Sequence, residues 1–123
     1  MAELEITLPW PPKELSPNAK LHWARVMRFK KMYRELCHIN TLEQKGRGIK
    51  FEDAPVQVHL TFHKPTRRAM DWDNLIARMK AGLDGLSDAL KINDKQFRLS
   101  MEVADEIGGF VKVKITQGEN HGS

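Results

Sequence analysis

The stretch PVQVHLTFH at residues 55–63 decides the fold. Apolar and polar residues alternate along it, which is the pattern of a strand with one buried face. An apolar stripe at helical spacing follows over about residues 73–89. The stripe consists of Leu75, Met79, Leu83, Leu86 and Leu90. A strand that needs cover on one face, followed by a helix with one apolar stripe, predicts a one-sided sheet packed under helices.

Three further alternating runs, at residues 4–8, 97–103 and 111–115, predict additional strands. In the second of these runs, one apolar face is predicted from Phe97, Leu99, Met101 and Val103. Two glycines at residues 108–109 separate the last two runs and predict a hairpin between them.

A long helical pattern covers about residues 19–45, with Ser16 as the expected N-cap and Pro17 at the first helical position. Its predicted inner face consists of Val26, Phe29, Tyr33, Leu36, Cys37 and Asn40. The order strand, helix, strand, helix, strand, strand predicts one α+β domain over residues 1–123. We expect a mostly antiparallel sheet, covered on one face by two helices, and a disordered polar tail at residues 117–123.

The composition is that of a small globular protein with a basic surface. The chain has 123 residues and a net charge of +4, from 20 Lys/Arg against 16 Asp/Glu. Its single cysteine, Cys37, excludes an internal disulfide and is expected to be buried and inert. No apolar run approaches the roughly 20 residues that span a bilayer. The first residues also lack a secretory signal, so we expect no membrane partner and a cytoplasmic location.

Positive charge is concentrated in two segments. Residues 20–34 contain six Lys/Arg and no acid, and residues 64–68 read KPTRR. This distribution favours a polyanionic partner more than the modest net charge does. The residues expected to contact DNA phosphates are Arg25, Arg28, Lys30, Lys31, Arg34, Arg67 and Arg68.

Three aspartates supply the predicted chemistry. Asp71 and Asp73 are two residues apart where a loop meets the second helix, and in an extended segment such side chains face the same way. Asp94 follows the helix on a polar turn, and the next strand could bring it back toward the helix N-terminus. Carboxylates suit Mg²⁺ or Mn²⁺, which activates water for phosphodiester hydrolysis. Lys80 continues the stripe that Asp73 begins and would stabilise charge on the phosphate.

Each of these residues also has an ordinary structural interpretation. Asp71 and Asp73 could be helix caps, Lys80 and Asp84 could form a surface ion pair, and Asp94 could be a turn residue. Two further histidines and two tryptophans have both interpretations. His59 and His63 could bind metal or only face solvent, and Trp10 and Trp23 could stack on bases or pack at the core edge.

Several short motifs resemble the RusA family of Holliday-junction resolvases. They are ITLPWPP at residues 6–12, DWDNL at residues 71–75 with Lys80, LDGL at residues 83–86, and Asn93-Asp94 before a strand. The resemblance extends from about residue 6 to residue 113. It implies that Asp71, Asp73 and Asp94 are metal-binding acids and that Lys80 is the family's lysine. It also implies Mg²⁺-dependent cleavage of four-way junctions by a homodimer.

The chain departs from the family pattern at two positions. Asn93 stands where the family usually has the first of two acids, and Ala77 occupies the lysine position of shorter-spaced members. The leading hypothesis is a structure-selective endonuclease of branched DNA. The alternatives are a non-catalytic DNA-binding protein or phage regulator on the same scaffold, and an interaction protein in which the aspartates are caps only.

Overall fold

A computed structural model describes residues 2–118. The strands are β1 (Ala2–Pro9), β2 (Val56–His63), β3 (Phe97–Val103) and β4 (Phe110–Gln117), and the helices are α1 (Trp23–Lys45) and α2 (Trp72–Leu90). Short 3₁₀ turns occupy Lys13–Leu15 and Asp94–Gln96. The predicted order of elements is confirmed.

The four strands form one mixed sheet in the order β1-β4-β2-β3. The β1–β4 and β4–β2 pairs are antiparallel, and the β2–β3 pair is parallel. The predicted α+β class and mostly antiparallel sheet are therefore confirmed. The predicted hairpin at residues 108–109 is wrong, because β3 and β4 lie on opposite sides of β2. Gly109, whose φ is +80°, donates instead to the carbonyl of His63 as the chain crosses the end of β2.

The core lies between one face of the sheet and the two helices. The predicted α2 stripe is buried throughout, from Leu75 at 0% exposure to Leu83 at 8%. The apolar side chains that β1, β2 and β4 direct toward the helices are also buried. The face predicted for β3 is only half covered, because β3 is an edge strand. Phe97 and Met101 pack against the core, whereas Leu99 and Val103 remain exposed.

The first helix begins later than predicted and is rotated. His22 is its N-cap, with Nδ1 accepting from the Ala24 amide, whereas Ser16 accepts from the Asn18 amide in a separate turn. The buried residues of α1 are Tyr33, Cys37 and Thr41. Leu36 is 41% exposed and Asn40 is half-buried, so neither belongs to the core as predicted.

Glycines of α2 set this rotation. Gly85 lies so close to the backbone carbonyl of Arg34 that a Cβ would overlap it, and Gly82 faces Tyr33 and Cys37. Burial raises the pKa of the Cys37 thiol to about 12, which agrees with an inert cysteine.

The end of β4 corrects the expected tail. Gln117 is buried and accepts from the Glu52 amide while donating to the Glu52 and Ala54 carbonyls. The disordered tail predicted at residues 117–123 therefore does not begin at Gln117, and residues 119–123 lie outside the described part of the chain. Within residues 2–118, neither helix has a stretch long and apolar enough to cross a membrane.

Candidate functional site

Two of the predicted acids lie exposed at the N-terminal end of α2. Asp71 occupies the N-cap position with an extended backbone, but its side chain makes no capping hydrogen bond. Asp73 lies in the first turn, and its Oδ1 accepts from the Asn74 amide at 3.0 Å. Neither carboxylate forms an ion pair with any residue in the range 2–118. Their positions are those of capping residues, yet both carboxylates are accessible to a ligand.

The end of the molecule that carries these acids has charge of both signs, because the exposed Asp105 and Glu106 follow β3 there. β1 and β2 run in the same direction because each is antiparallel to β4. The two helices follow these strands, so α1 and α2 both begin at the same end of the sheet. The N-terminus of a helix carries a partial positive charge. The loop before Asp71 adds Arg67 and Arg68, both exposed, while Lys64 donates to the Arg68 carbonyl at 2.9 Å.

Asp94 lies at the opposite end of the domain. It begins the 3₁₀ turn after α2, and the following residue Phe97 pairs with Val56, the first residue of β2. Asp71 and Asp73, in contrast, come after the last residue of β2. The 19 residues of α2 separate the two ends by about 28 Å.

The expectation that the strand after Asp94 returns it to Asp71 and Asp73 is therefore wrong within one chain. The physical reason is the parallel β2–β3 pairing, which makes β3 begin where β2 begins. In accordance with this separation, no group of three His, Cys, Asp or Glu residues within the described range could hold a metal ion. One chain supplies two neighbouring acids and a distant third.

Lys80 lies two turns beyond Asp73 on α2, about 10 Å along the helix axis. It is exposed and makes no ion pair with Asp84 among the described contacts, so the surface-pair interpretation is not supported. Lys80 instead borders a groove of about 670 Å³ between α1 and α2. Around a floor that includes Val26, Ala77 and Ala81, the groove carries four basic side chains, Lys30, Lys31, Arg34 and Lys80, and one acid, Asp84.

The other predicted phosphate-binding residues differ in availability. Arg34 is engaged in a two-point ion pair with Asp88, at 2.8 and 3.0 Å. The hydrogen bonds of this pair raise the pKa of Arg34 and lower that of Asp88. Arg25 lies 5.9 Å from the centre of the Phe29 ring, and Arg28 is exposed. Arg34 is thus the least available of the predicted DNA contacts.

Sequence reasoning missed the role of Arg78. Its Nη2 donates to the Pro11 carbonyl at 2.7 Å, and the guanidinium lies 5.8 Å from the centre of the Trp10 ring. Burial lowers the pKa of Arg78, and its Nε has no partner within the described residues. The sequence signal for this role is weak. Prolines have no backbone N–H, so a carbonyl in the proline-rich turn needs a donor from elsewhere in the chain.

The two histidines of β2 make contacts within the sheet. His59 Nδ1 lies 2.7 Å from Ser100 Oγ, and its Nε2 lies 3.1 Å from Glu102 Oε2. His63 stacks on Phe110 at 4.5 Å. These contacts link neighbouring strands on the uncovered face of the sheet.

The tryptophans divide between core and surface. Trp10 packs edge-on against Phe62 at 6.0 Å, as the core-edge interpretation predicted. Trp23, beside His22, is 72% exposed at the start of α1. Trp72, which sequence reasoning did not single out, is 67% exposed between the two aspartates. Two large aromatic surfaces therefore lie in solvent at the end that carries the acids.

The fold and this end together define a class of protein, a one-sided α+β domain with an exposed pair of acids at the start of its second helix. Over 112 residues the chain is 36% identical to an uncharacterized protein of Xylella fastidiosa, an alignment that covers 90% of this chain and 73% of that protein. The chain belongs to the same family as that protein. No family model matches it.

Proposed function

We propose that the chain is a Mg²⁺-dependent endonuclease that cuts the phosphodiester backbone of branched DNA. In this proposal it acts as a cytoplasmic homodimer on four-way junctions, in recombination and repair, as the RusA family that its sequence resembles does. Mn²⁺ could replace Mg²⁺, since both ions prefer oxygen ligands.

The observation that carries the proposal is the pair of accessible carboxylates, Asp71 and Asp73, at the end of the domain where both helices begin. Two helix N-termini and the exposed Arg67 and Arg68 attract a polyanion to this end. Carboxylates at such a surface repel phosphate unless a cation lies between them. A non-catalytic DNA-binding protein, the alternative from another class, would gain nothing from these two acids.

The donor set fits a magnesium ion when two chains contribute. Asp71 and Asp73 would come from one chain, and Asp94 can join them only from a second copy, because about 28 Å of helix separates it from them within one chain. When bound, the ion would lower the pKa of a coordinated water and neutralise charge on the phosphate. Two such sites related by a two-fold axis would mirror the symmetry of a four-way junction.

The remaining residues would bind and orient the DNA. Arg67 and Arg68 adjoin the acids and would contact the phosphates nearest to the cleaved bond. Lys80 is about 10 Å from Asp73 along the helix, so it would contact a neighbouring phosphate. Lys30 and Lys31 would extend this contact along the groove between the helices. Such contacts give affinity with little sequence information, which suits a structure-selective enzyme.

Trp72 would add selectivity for branched substrates. Its exposed ring lies between the two proposed ligands in sequence. The bases of an intact duplex are stacked on one another and cannot reach such a ring. At a branch point an unpaired base can stack on an exposed aromatic side chain.

The test is nicking of a synthetic mobile junction with and without Mg²⁺, using the native protein, Asp73→Asn and Glu43→Gln. Glu43 is an exposed acid near the far end of α1, so its variant carries the same loss of charge away from the site. We expect Asp73→Asn to bind the junction without cutting it, and Glu43→Gln to cut normally. Equal nicking by all three proteins would exclude Asp73 as a ligand. Binding without Mg²⁺-dependent nicking by the native protein would favour the non-catalytic alternative.

A further inference from the structure

A second depression, of about 550 Å³, adjoins the groove between the helices. It is bounded by the loop at residues 13–21, by the first turn of α1 and by one side chain of α2, and we call it the loop pocket. Four basic side chains line it against a single acid, Glu14. The basic side chains are those of Lys13, Lys20, Arg25 and Arg78. Of these, only Arg25 is among the residues that the sequence predicts to contact DNA.

The loop that forms most of this pocket is held in one conformation by its own contacts. The Leu15 amide donates to the Pro12 carbonyl, and the Ala19 amide donates to the Ser16 carbonyl. The Leu15 side chain is buried and belongs to the core cluster, so it anchors the loop. The two lysines of the loop therefore line the pocket before any ligand binds, which reduces the cost of binding.

Arg78 is the cation whose position is fixed most firmly. Its Nη2 donates to the Pro11 carbonyl at 2.7 Å, and its guanidinium lies 5.8 Å from the centre of the Trp10 ring. A guanidinium has five N–H donors in a planar fork. The hydrogen bonds within residues 2–118 use one of them. Arg78 therefore has donors left for a ligand that carries several oxygens.

The charge of Arg78 is only partly compensated by its surroundings. Burial lowers the pKa of Arg78, and the nearby Glu14 opposes this shift without cancelling it. No ion pair within the described range joins the two side chains. The three other cations of the pocket are exposed, and the first turn of α1, which contains Arg25, adds the positive end of a helix. An anion in the pocket would stabilise the charged form of Arg78.

The side chains of the pocket favour a phosphoryl group as that anion. The oxygens of a phosphoryl group can accept from the planar fork of an arginine and from lysines at the same time. The only apolar side chains in the lining are Ala19 and Leu21. The pocket therefore offers little surface to the apolar side chains by which an acidic peptide would be anchored.

The loop pocket is separate from the acids at the start of α2. Arg78 lies beyond Asp73 by about 7.5 Å along the helix axis and on a different face of α2. Phosphates of one DNA strand follow each other at about 3.4 Å along a duplex. A strand that passes the acids can therefore place another of its phosphates in the pocket.

We propose that the loop pocket is a phosphate-binding site, and that on DNA it holds a backbone phosphate other than the one at the acids. The second part of this inference deepens the proposed function and rests on it. The first part concerns an anion site that needs neither Mg²⁺ nor cleavage.

The first test is a titration with inorganic phosphate, followed by ¹⁵N NMR in the presence of EDTA and at constant ionic strength kept with chloride. We expect saturable shifts of the backbone amides of residues 18–25 and of the Nε–H signal of Arg78. The Nε of Arg78 is buried, which protects its proton from exchange with water and makes the signal observable.

Four variants test which charges hold the phosphate. Lys20→Gln and Arg25→Gln should each raise the dissociation constant about threefold, the effect of one exposed ion pair. Glu14→Gln removes the acid that competes for Arg78 and should lower the constant by a similar factor. Arg47→Gln is the control, since Arg47 is exposed beyond the far end of α1 and should leave binding unchanged. Tighter binding by Glu14→Gln is not expected if these residues only stabilise the loop.

The second test distinguishes a DNA phosphate from a free phosphate. Junction binding is measured by fluorescence anisotropy in EDTA over a range of salt concentrations. The double variant Lys20→Gln/Arg25→Gln should reduce the slope of log K against log salt concentration by about one, the value for one lost phosphate contact. Arg47→Gln should leave the slope unchanged. An unchanged slope in a double variant that has lost phosphate binding would assign the pocket to a free phosphate and overturn the assignment to DNA.

The absence of saturable shifts in the loop pocket would overturn the site itself. Shifts that are equal in the native protein, Arg25→Gln and Glu14→Gln would do the same, because the charges of the pocket would then have no part in binding. Failure of junction cleavage by a protein that binds phosphate as expected would contradict the proposed function alone. Normal Mg²⁺-dependent cleavage without phosphate binding would contradict the loop pocket alone.

Discussion

Mixing two inactive variants should restore cleavage if each metal site takes ligands from two chains. Asp73→Asn removes a proposed ligand at the N-terminal end of α2, and Asp94→Asn removes a proposed ligand at the other end. Magnesium ligands lie about 2 Å from the ion. The roughly 28 Å length of α2 therefore prevents one chain from supplying both residues to one ion.

The amount of restored activity follows from the symmetry of the dimer. In a mixed dimer, one site receives both altered residues and the other receives none. Random exchange of subunits makes about half of the dimers mixed, and each has one intact site of two. We therefore expect about a quarter of the native number of active sites, starting from two preparations with almost none.

The assay is nicking of a labelled junction on a denaturing gel after the two variants have been co-refolded. A mixed dimer should nick one strand and rarely resolve the junction, since resolution requires both sites. Mixing Asp71→Asn with Asp73→Asn is the control, because every site in that mixture retains one altered ligand. The reasoning would be refuted if mixed dimers form and show no activity, or if the control mixture recovers equally.

Three further outcomes are expected. Gly85→Ala should lower the free energy of unfolding, measured by chemical denaturation, by about 2 kcal/mol, because the added Cβ would overlap the α1 backbone. Gly48→Ala is the control and should leave the free energy of unfolding almost unchanged, because the space around Gly48 is open. Lys80→Ala should weaken junction binding and reduce the slope of log K against log salt concentration by about one. An unchanged slope would mean that Lys80 contacts no phosphate. The native Cys37 thiol has its pKa raised to about 12 from an ordinary 9.0, so its contribution to stability is complete below pH 9 and is lost as pH rises toward 12. Cys37→Ala should flatten this part of the curve of unfolding free energy against pH.

The parts of the fold that depend on local periodicity were predictable from the sequence. The α2 stripe from Leu75 to Leu90 and the alternation in β2 each report a buried face directly. The rotation of α1 was not predictable in this way. By residue type, Leu36 is expected on the buried face of α1 and Thr41 on the exposed face. In the structure Leu36 is exposed, whereas Thr41 is buried and donates to the Cys37 carbonyl. The contact of Gly82 and Gly85 with α1 decides the face, and that contact is between distant segments.

Strand order was likewise beyond local patterns. The glycines at residues 108–109 mark a turn, but a turn signal does not specify which strands it joins. β4 lies inside the sheet, with a neighbouring strand on each side. Its Val111, Val113 and Ile115 are completely buried. β3, with Leu99 exposed, remains at the edge. The sequence runs of β3 and β4 are similarly apolar, so only the three-dimensional packing distinguishes them.

The position of Asp94 could have been inferred from the predicted elements. A helix of 19 residues between two strands returns the chain to the end from which the first strand began, and strands joined in this way lie parallel. Residues just before and just after such a helix therefore lie at opposite ends of the sheet. An active site that uses Asp71 and Asp94 together must then be shared between molecules.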